Sequence, residues 1–284
     1  MSKQGNWKSF PHPSTASAYE GAALKKNWPK LHRGDCEPYP DAASLKKLVE
    51  SHPALKPAGS VADLATRLQE AWRAYHRGGF QDAVKIGLDT GLLGYNAANK
   101  AANIYATYLE KDEDRRLAIF QDVIHRAEKL QAAAPGLANA WYFYAQALGR
   151  YAQGISVAKA LADGLGGKTK RALEQTLKLA PQHADAHIAL GAYHANVVNK
   201  MGALVGRLTF GASKEEAIRH FEEAVKLNPA SAIAKIEFAN GLAMLFGKAR
   251  LVQATKLYEE AAAIEPADAM EMLDVELAKA EISS

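Results

Sequence analysis

Four prolines constrain this chain more than any other feature. Pro135, Pro181, Pro229 and Pro266 each close an amphipathic run: AEKLQAAAP, LEQTLKLAP, FEEAVKLNP and YEEAAAIEP. Proline has no amide hydrogen to donate and restricts the residue before it, so each run is predicted to end as a helix there. One ending written four times is an internal repeat. The spacings of 46, 48 and 37 residues suit an array of helix pairs. Alanine is abundant and β-branched runs are scarce, so the predicted class is all-α. With 48% hydrophobic and 23% charged residues, the composition is that of a chain able to bury a core, not of a disordered one.

The segment SKEEAIRHFEEAVKLNP, residues 213–229, shows the pattern best. Ser213 and Glu216 form a capping-box signature, and Glu222 and Lys226 are spaced to pair across one helical turn. Ala217, Phe221, Ala224 and Leu227 give one apolar face at helical spacing. The two alanines allow another helix to approach closely, and Phe221 fills the space between them.

These residues resemble the second helix of a tetratricopeptide repeat. Ala217, Phe221, Ala224 and Pro229 stand at that family's small, aromatic, small and proline positions. YEEAAAIEP repeats the pattern with Ala254, Tyr258, Ala261 and Pro266, and LEQTLKLAP does so more loosely with Thr169, Leu173, Thr176 and Pro181. First helices match as well: Leu190-Gly191 in ADAHIALGAYHA, Trp141, Tyr144, Ala145 and Leu148 in NAWYFYAQAL, and Phe238, Ala239 and Leu242 in AKIEFANGLAML. AWRAYHRGGFQDAVKIGL, with Gly78, Phe80 and Ala83, resembles a junction between repeat helices. The likeness covers roughly residues 61–284. It implies a right-handed α-α solenoid of hairpins with lengthened middle repeats, preceded by an arm over residues 1–60.

The middle repeats depart from the simple pattern by carrying inserts between their helices, QGISVAKALADGLGGK (153–168) and VVNKMGALVGRLTFGA (197–212), each expected to add helical turns. Repeats with a lengthened first helix are similar to those of the regulator of microtubule dynamics proteins. The pattern also resembles the T-component of bacterial TRAP transporters. What the resemblance implies is a non-catalytic scaffold that binds a protein or peptide in its concave groove. Projected onto this chain, the groove positions are Asn139, Tyr142, Gln146 and Arg150 in one repeat. The next contributes Asp185, Ile188, Ala192 and Asn196, and the last Ile233, Ile236 and Asn240. Amides can hold a peptide backbone while Tyr142 or Ile188 meets its apolar side chains.

In the inserts, Leu204, Val205, Leu208 and Phe210 either seal the core between repeats or line a cavity for an apolar small molecule, which is the alternative function. The arm is rich in proline and carries Trp7, Phe10, Tyr19, Trp28 and Tyr39. It is expected to pack on the repeats, with a short helix in SAYEGAALKKNWPKLHRG ending before Pro29. A partner-binding arm is the other reading.

Catalytic motifs are not found. ADGLGGKTK (162–170) imitates a phosphate loop, but its first required glycine is Ala162 and no strand is expected before it; it reads as a glycine-marked helix break. His183 and His187 have a metal-compatible spacing, with His194 nearby, but HADAH lacks a metalloprotease glutamate, so neither a metal site nor a cofactor is expected. The lone Cys36 cannot form an internal disulfide, which suits a reducing compartment. The net charge of +4 lies in the first 60 residues, which hold nine Lys or Arg against five Asp or Glu. There is no dense basic stripe for nucleic acid. The start MSKQGNWKSFPHP lacks an apolar signal core, and no run is long enough to span a membrane, so a cytoplasmic protein is expected. Self-association through repeat ends is left open, since ELAKAEISS also suits a solvating cap.

Overall fold

The computed structural model describes residues 7–12 and 18–283. It is all-α, with no strand among the described residues, and helices that follow one another in the chain pack together as the repeat pattern predicts. No helix among the described residues is long and apolar enough to cross a membrane.

The chain divides into two compact units, neither continuous in sequence. The first contains the described residues through Leu31, Glu37–Ala172 and Asp268–Met270. Its helices are α1 (Ala23–Leu31), α2 (Ala42–Ser51), α3 (Val61–His76), α4 (Phe80–Asp89), α5 (Tyr95–Tyr108), α6 (Glu113–Ala133), α7 (Ala138–Gln153) and α8 (Val157–Ala162). Helix α9 (Leu165–Leu179) begins in this unit and ends in the second. The second unit contains His32–Cys36, Leu173–Ala267 and the residues from Glu271 onward. It holds α10 (Ala184–Met201), α11 (Ala203–Phe210), α12 (Lys214–Leu227), α13 (Ala232–Phe246), α14 (Leu251–Ala262) and most of α15 (Ala269–Ser283). The expected arm, residues 1–60, thus divides between the two units, and its residues 1–6 and 13–17 lie outside the described part, as does Ser284.

The prolines act as expected. α6, α9 and α12 stop two residues before Pro135, Pro181 and Pro229, and α14 stops four before Pro266. Inside the second unit, Ala217, Phe221 and Ala224 are completely buried. The Phe221 ring stacks on Phe238 at 5.4 Å and is wedged against Gly191 of α10 and Gly241 of α13. A full burial of this kind contributes about 1.5–3 kcal/mol per large apolar side chain. The first unit builds its core from aromatics: Trp28, Trp72, Tyr75 and Phe80 are all buried, with Trp28 edge-on to Trp72 at 5.6 Å.

Several local expectations are corrected. α1 does not stop before Pro29 but runs through it to Leu31. One backbone hydrogen bond is forgone there, and the burial of Leu24, Trp28 and Leu31 on one face offsets the loss. Ser213 does cap α12, accepting from the Glu216 amide at 3.2 Å, but the Glu216 carboxylate turns to Arg219 instead of completing the box. Lys226 pairs with Glu223 at 3.1 Å rather than with Glu222. In 162–170 the break falls at Gly164, whose φ is +63°, while Gly166 and Gly167 lie inside α9.

The inserts do add helix, α8 in one and the end of α10 with α11 in the other. Gly202 and Gly211 bracket α11 with φ of +78° and +59°. Leu204, Val205 and Leu208 do not seal the core, however. They project into solvent, with Leu204 72% and Leu208 77% exposed, and only Phe210 packs inward. An eight-residue helix bounded by two turns buries one face only, here through Gly206.

Candidate functional site

Helix α5, YNAANKAANIYATY, positions the most unusual chemistry of the first unit. Its residues from Asn96 to Ala106 are all buried, including Asn96, Asn99, Lys100 and Asn103. Small alanines let α4 and α6 pack close on both sides, which leaves the intervening amides no route to water. Buried amides must find partners within the protein. Asn103 donates to the Phe143 carbonyl at 3.2 Å and to Gln146 at 2.9 Å, both on α7. Asn99 accepts from Arg126 of α6 at 2.9 Å. The Lys100 ammonium lies over the rings of Tyr75 and Trp72, at 5.3 and 6.0 Å from their centres.

Asn96 reaches a different partner. Its Nδ2 donates to the carboxylate of Glu37 at 3.1 Å, and Asn139 Nδ2 of α7 donates to the same carboxylate at 2.5 Å. Glu37 belongs to a non-helical stretch that follows α1 and a turn at residues 32–35. The stretch is fixed by a hydrogen bond from Trp28 Nε1 to the Glu37 carbonyl, 2.7 Å, and by one from Gln69 to the Pro40 carbonyl, 3.1 Å. It ends at Asp41, which caps α2 by accepting from Ser44. That bond and the neighbouring Lys25 ammonium hold the Asp41 carboxyl down to about 2. Elsewhere in this unit the arm stacks Trp7 on Tyr105 at 3.9 Å, sets Phe10 edge-on to Phe80, and places the Tyr19 and Gly21 carbonyls on Arg73.

Of the groove residues projected from sequence, Asn139 therefore joins Asn96 on the Glu37 carboxylate, and Gln146 accepts from Asn103. Tyr142 is buried against Phe143, and Arg150 is half-buried beside Gln153. In the second unit, the Asp185 amide donates to the Gly34 carbonyl at 3.0 Å, and its carboxylate lies so close over Gly34 that no side chain fits there. Ile188 is buried with Ala224 and Ala234. Asn196 donates to the Ala192 carbonyl of its own helix, and Asn240 accepts from Tyr258. Ala192, Ile233 and Ile236 pack in the core. Sequence reasoning missed Asn96, Asn99 and Asn103; amides at i, i+3 and i+7 of an alanine-rich helix were the available signal.

The second unit also gathers histidines, though not the trio suggested by sequence. His183 caps α10 by accepting from Ala186. His187 and His194 of α10 meet His220 and Glu216 of α12. The last three residues bring one possible ligand atom each within 4.8 Å of one another. The hydrogen bonds fix their roles. His187 Nε2–H faces the Pro181 carbonyl, so its Nδ1 accepts from His220 Nδ1–H at 2.8 Å. His220 Nε2 then accepts from Arg219, and His194 Nδ1 accepts from the Ser213 amide. Burial, reinforced by the Arg219 cation, pushes His220 down to about 3. These are neutral imidazoles with their lone pairs engaged in hydrogen bonds.

Cys36 is exposed, yet its thiol leans toward the Gln182 carbonyl. Partial burial and the carboxylates of Asp35 and Asp185 raise it to about 11, so it is a poor nucleophile.

Comparison with curated proteins gives no match. A family model does match, over residues 95–281, beginning at the polar helix α5 and running almost to the end of α15. Because that match covers well over half of the chain, this protein belongs to the family described as regulator of microtubule dynamics protein 1-3.

Proposed function

We propose that this chain is a non-catalytic, cytoplasmic scaffold of tetratricopeptide-like hairpins that binds a protein partner along the face formed by its first helices. The supporting observation is that this face already holds a non-helical segment of the same chain. Asn96 and Asn139 grip Glu37 of the same chain, which is the kind of contact a groove makes with a partner in extended conformation. The family description, regulator of microtubule dynamics, points to a partner on microtubules.

Two measurements test this. Co-sedimentation with polymerised tubulin should show saturable pelleting, alone or with a partner captured from native extract. Arg150→Glu, at a half-buried position outside the core, should weaken that capture at unchanged helicity. Tyr142 is unsuitable for this purpose, because it is 7% exposed and its truncation would open the core. Neither pelleting nor capture by the wild-type chain would sink the scaffold reading.

A further inference from the structure

The Glu37 carboxylate is held by two side-chain amides. Asn96 is 7% and Asn139 4% exposed, whereas Glu37 itself is only half-buried and enters from the solvent side. The cradle is thus built into the helices, and its occupant is lodged from outside. The occupant fits incompletely. Asn96 Oδ1 is buried and has no hydrogen-bond partner. An acceptor beside a bound carboxylate calls for an N–H, and the residue after Glu37 is Pro38, which has none. The residue before it, Cys36, sits at a φ of +53°, a conformation that costs energy for any residue with a side chain.

We propose that the Asn96–Asn139 cradle is a recognition site for a glutamate side chain of an acidic, extended partner peptide, and that Glu37 is a built-in competitor occupying it. The proposal rests on the scaffold reading above and gives its partner a chemistry. The preferred sequence carries a glutamate followed by a residue other than proline, so that the next backbone N–H satisfies Asn96 Oδ1. Such a peptide makes both amide bonds that the Glu37 carboxylate makes and one more, without the strained residue before it. The covalent tether offsets this by keeping Glu37 at high effective concentration. The arm therefore sets a threshold that only a partner held by further contacts passes.

The test uses the full chain. A fluorescein-labelled peptide copying residues 28–41 is titrated into wild type and into Glu37→Ala, with fluorescence anisotropy as the readout. Glu37→Ala should bind it at least about tenfold more tightly than wild type. Replacing the peptide's glutamate by glutamine should remove that gain, and replacing its following proline by alanine should increase it. Independently of any peptide, sodium acetate should raise the melting temperature of Glu37→Ala above its value in sodium chloride of equal ionic strength. It should not do so for Glu37→Ala/Asn139→Ala. Equal binding of the glutamate and glutamine peptides to Glu37→Ala, or no acetate effect on its melting, overturns the cradle. Such a result leaves the scaffold reading standing, because that depends on capture by wild type and its loss in Arg150→Glu.

Discussion

Phe221 makes a prediction in which two well-known effects have opposite signs. The ring is fully buried, stacked on Phe238, and flanked by Gly191 and Gly241. Both glycines lie in the middle of helices, where glycine is destabilising by about 1 kcal/mol relative to alanine. Propensity alone therefore says that Gly191→Ala/Gly241→Ala stabilises the protein by about 2 kcal/mol. The packing says the reverse. A Cβ at Gly191 would stand 2.7 Å from Phe221 Cδ1, and one at Gly241 would overlap Cε2 and lie 2.9 Å from Cζ. The ring cannot retreat from one without meeting the other. Overpacking costs about 1–3 kcal/mol per site, so the double variant should be less stable than wild type. In a Phe221→Ala background, itself about 3–5 kcal/mol less stable, the same replacements should become stabilising. Urea unfolding followed by far-ultraviolet circular dichroism measures all four proteins. A double variant more stable than wild type, or glycine effects that do not depend on Phe221, would refute the argument.

Other outcomes follow from the same geometry. Burial keeps His220 neutral in the folded chain down to about pH 3, while the unfolded chain takes up its proton below the ordinary histidine value of 6.5. Stability is therefore fully present above that value and falls with decreasing pH, by about 2 kcal/mol between pH 8 and pH 5, and the decline should be shallower in His220→Leu. Cys36, raised from 9.0 to about 11, should react with a disulfide reagent at pH 8 about tenfold more slowly than an unhindered thiol of the usual acidity, the smaller thiolate fraction outweighing its greater basicity. A rate equal to the free thiol's would show that neither burial nor the carboxylates of Asp35 and Asp185 raise it. Gly211, at φ +59°, should lose about 1 kcal/mol on replacement by alanine, and Gly149, which has open space around it, should not. Chemical denaturation distinguishes these two.

What the sequence revealed and what it hid differ in range. The helix ends at Pro135, Pro181 and Pro229, and the Ala217–Phe221–Ala224 face, depend on neighbours within a turn or two, so spacing exposes them. Pro29 shows the limit. Its local rule was overridden by the burial of Trp28 and Leu31, which no local pattern contains. The amides of α5 are harder still. The Asn96 Nδ2 donates to a residue 59 positions away and the Asn103 Nδ2 to one 43 away. In sequence, YNAANKAANIY reads as a plain alanine-rich helix, and only the packing on both sides turns its polar stripe into a site. The apolar residues of 203–210 mislead in the opposite sense. Hydrophobicity suggested burial, but the glycines at both ends orient the helix with Leu204 and Leu208 outward.

The two units exchange pieces of chain in a way that bears on how the protein is made. Asp268 completes the first unit by accepting the buried His76 ring at 2.7 Å, from 192 residues downstream. His32–Cys36, which lie in sequence between two pieces of the first unit, belong to the second. On the ribosome, the first unit thus waits for residue 268 to emerge before its core is closed. Until then His76 lacks its carboxylate, whereas the segment 32–36 meets Gln182 and Asp185 as soon as the start of the second unit has emerged. A stop codon before residue 268 would consequently injure the unit translated first.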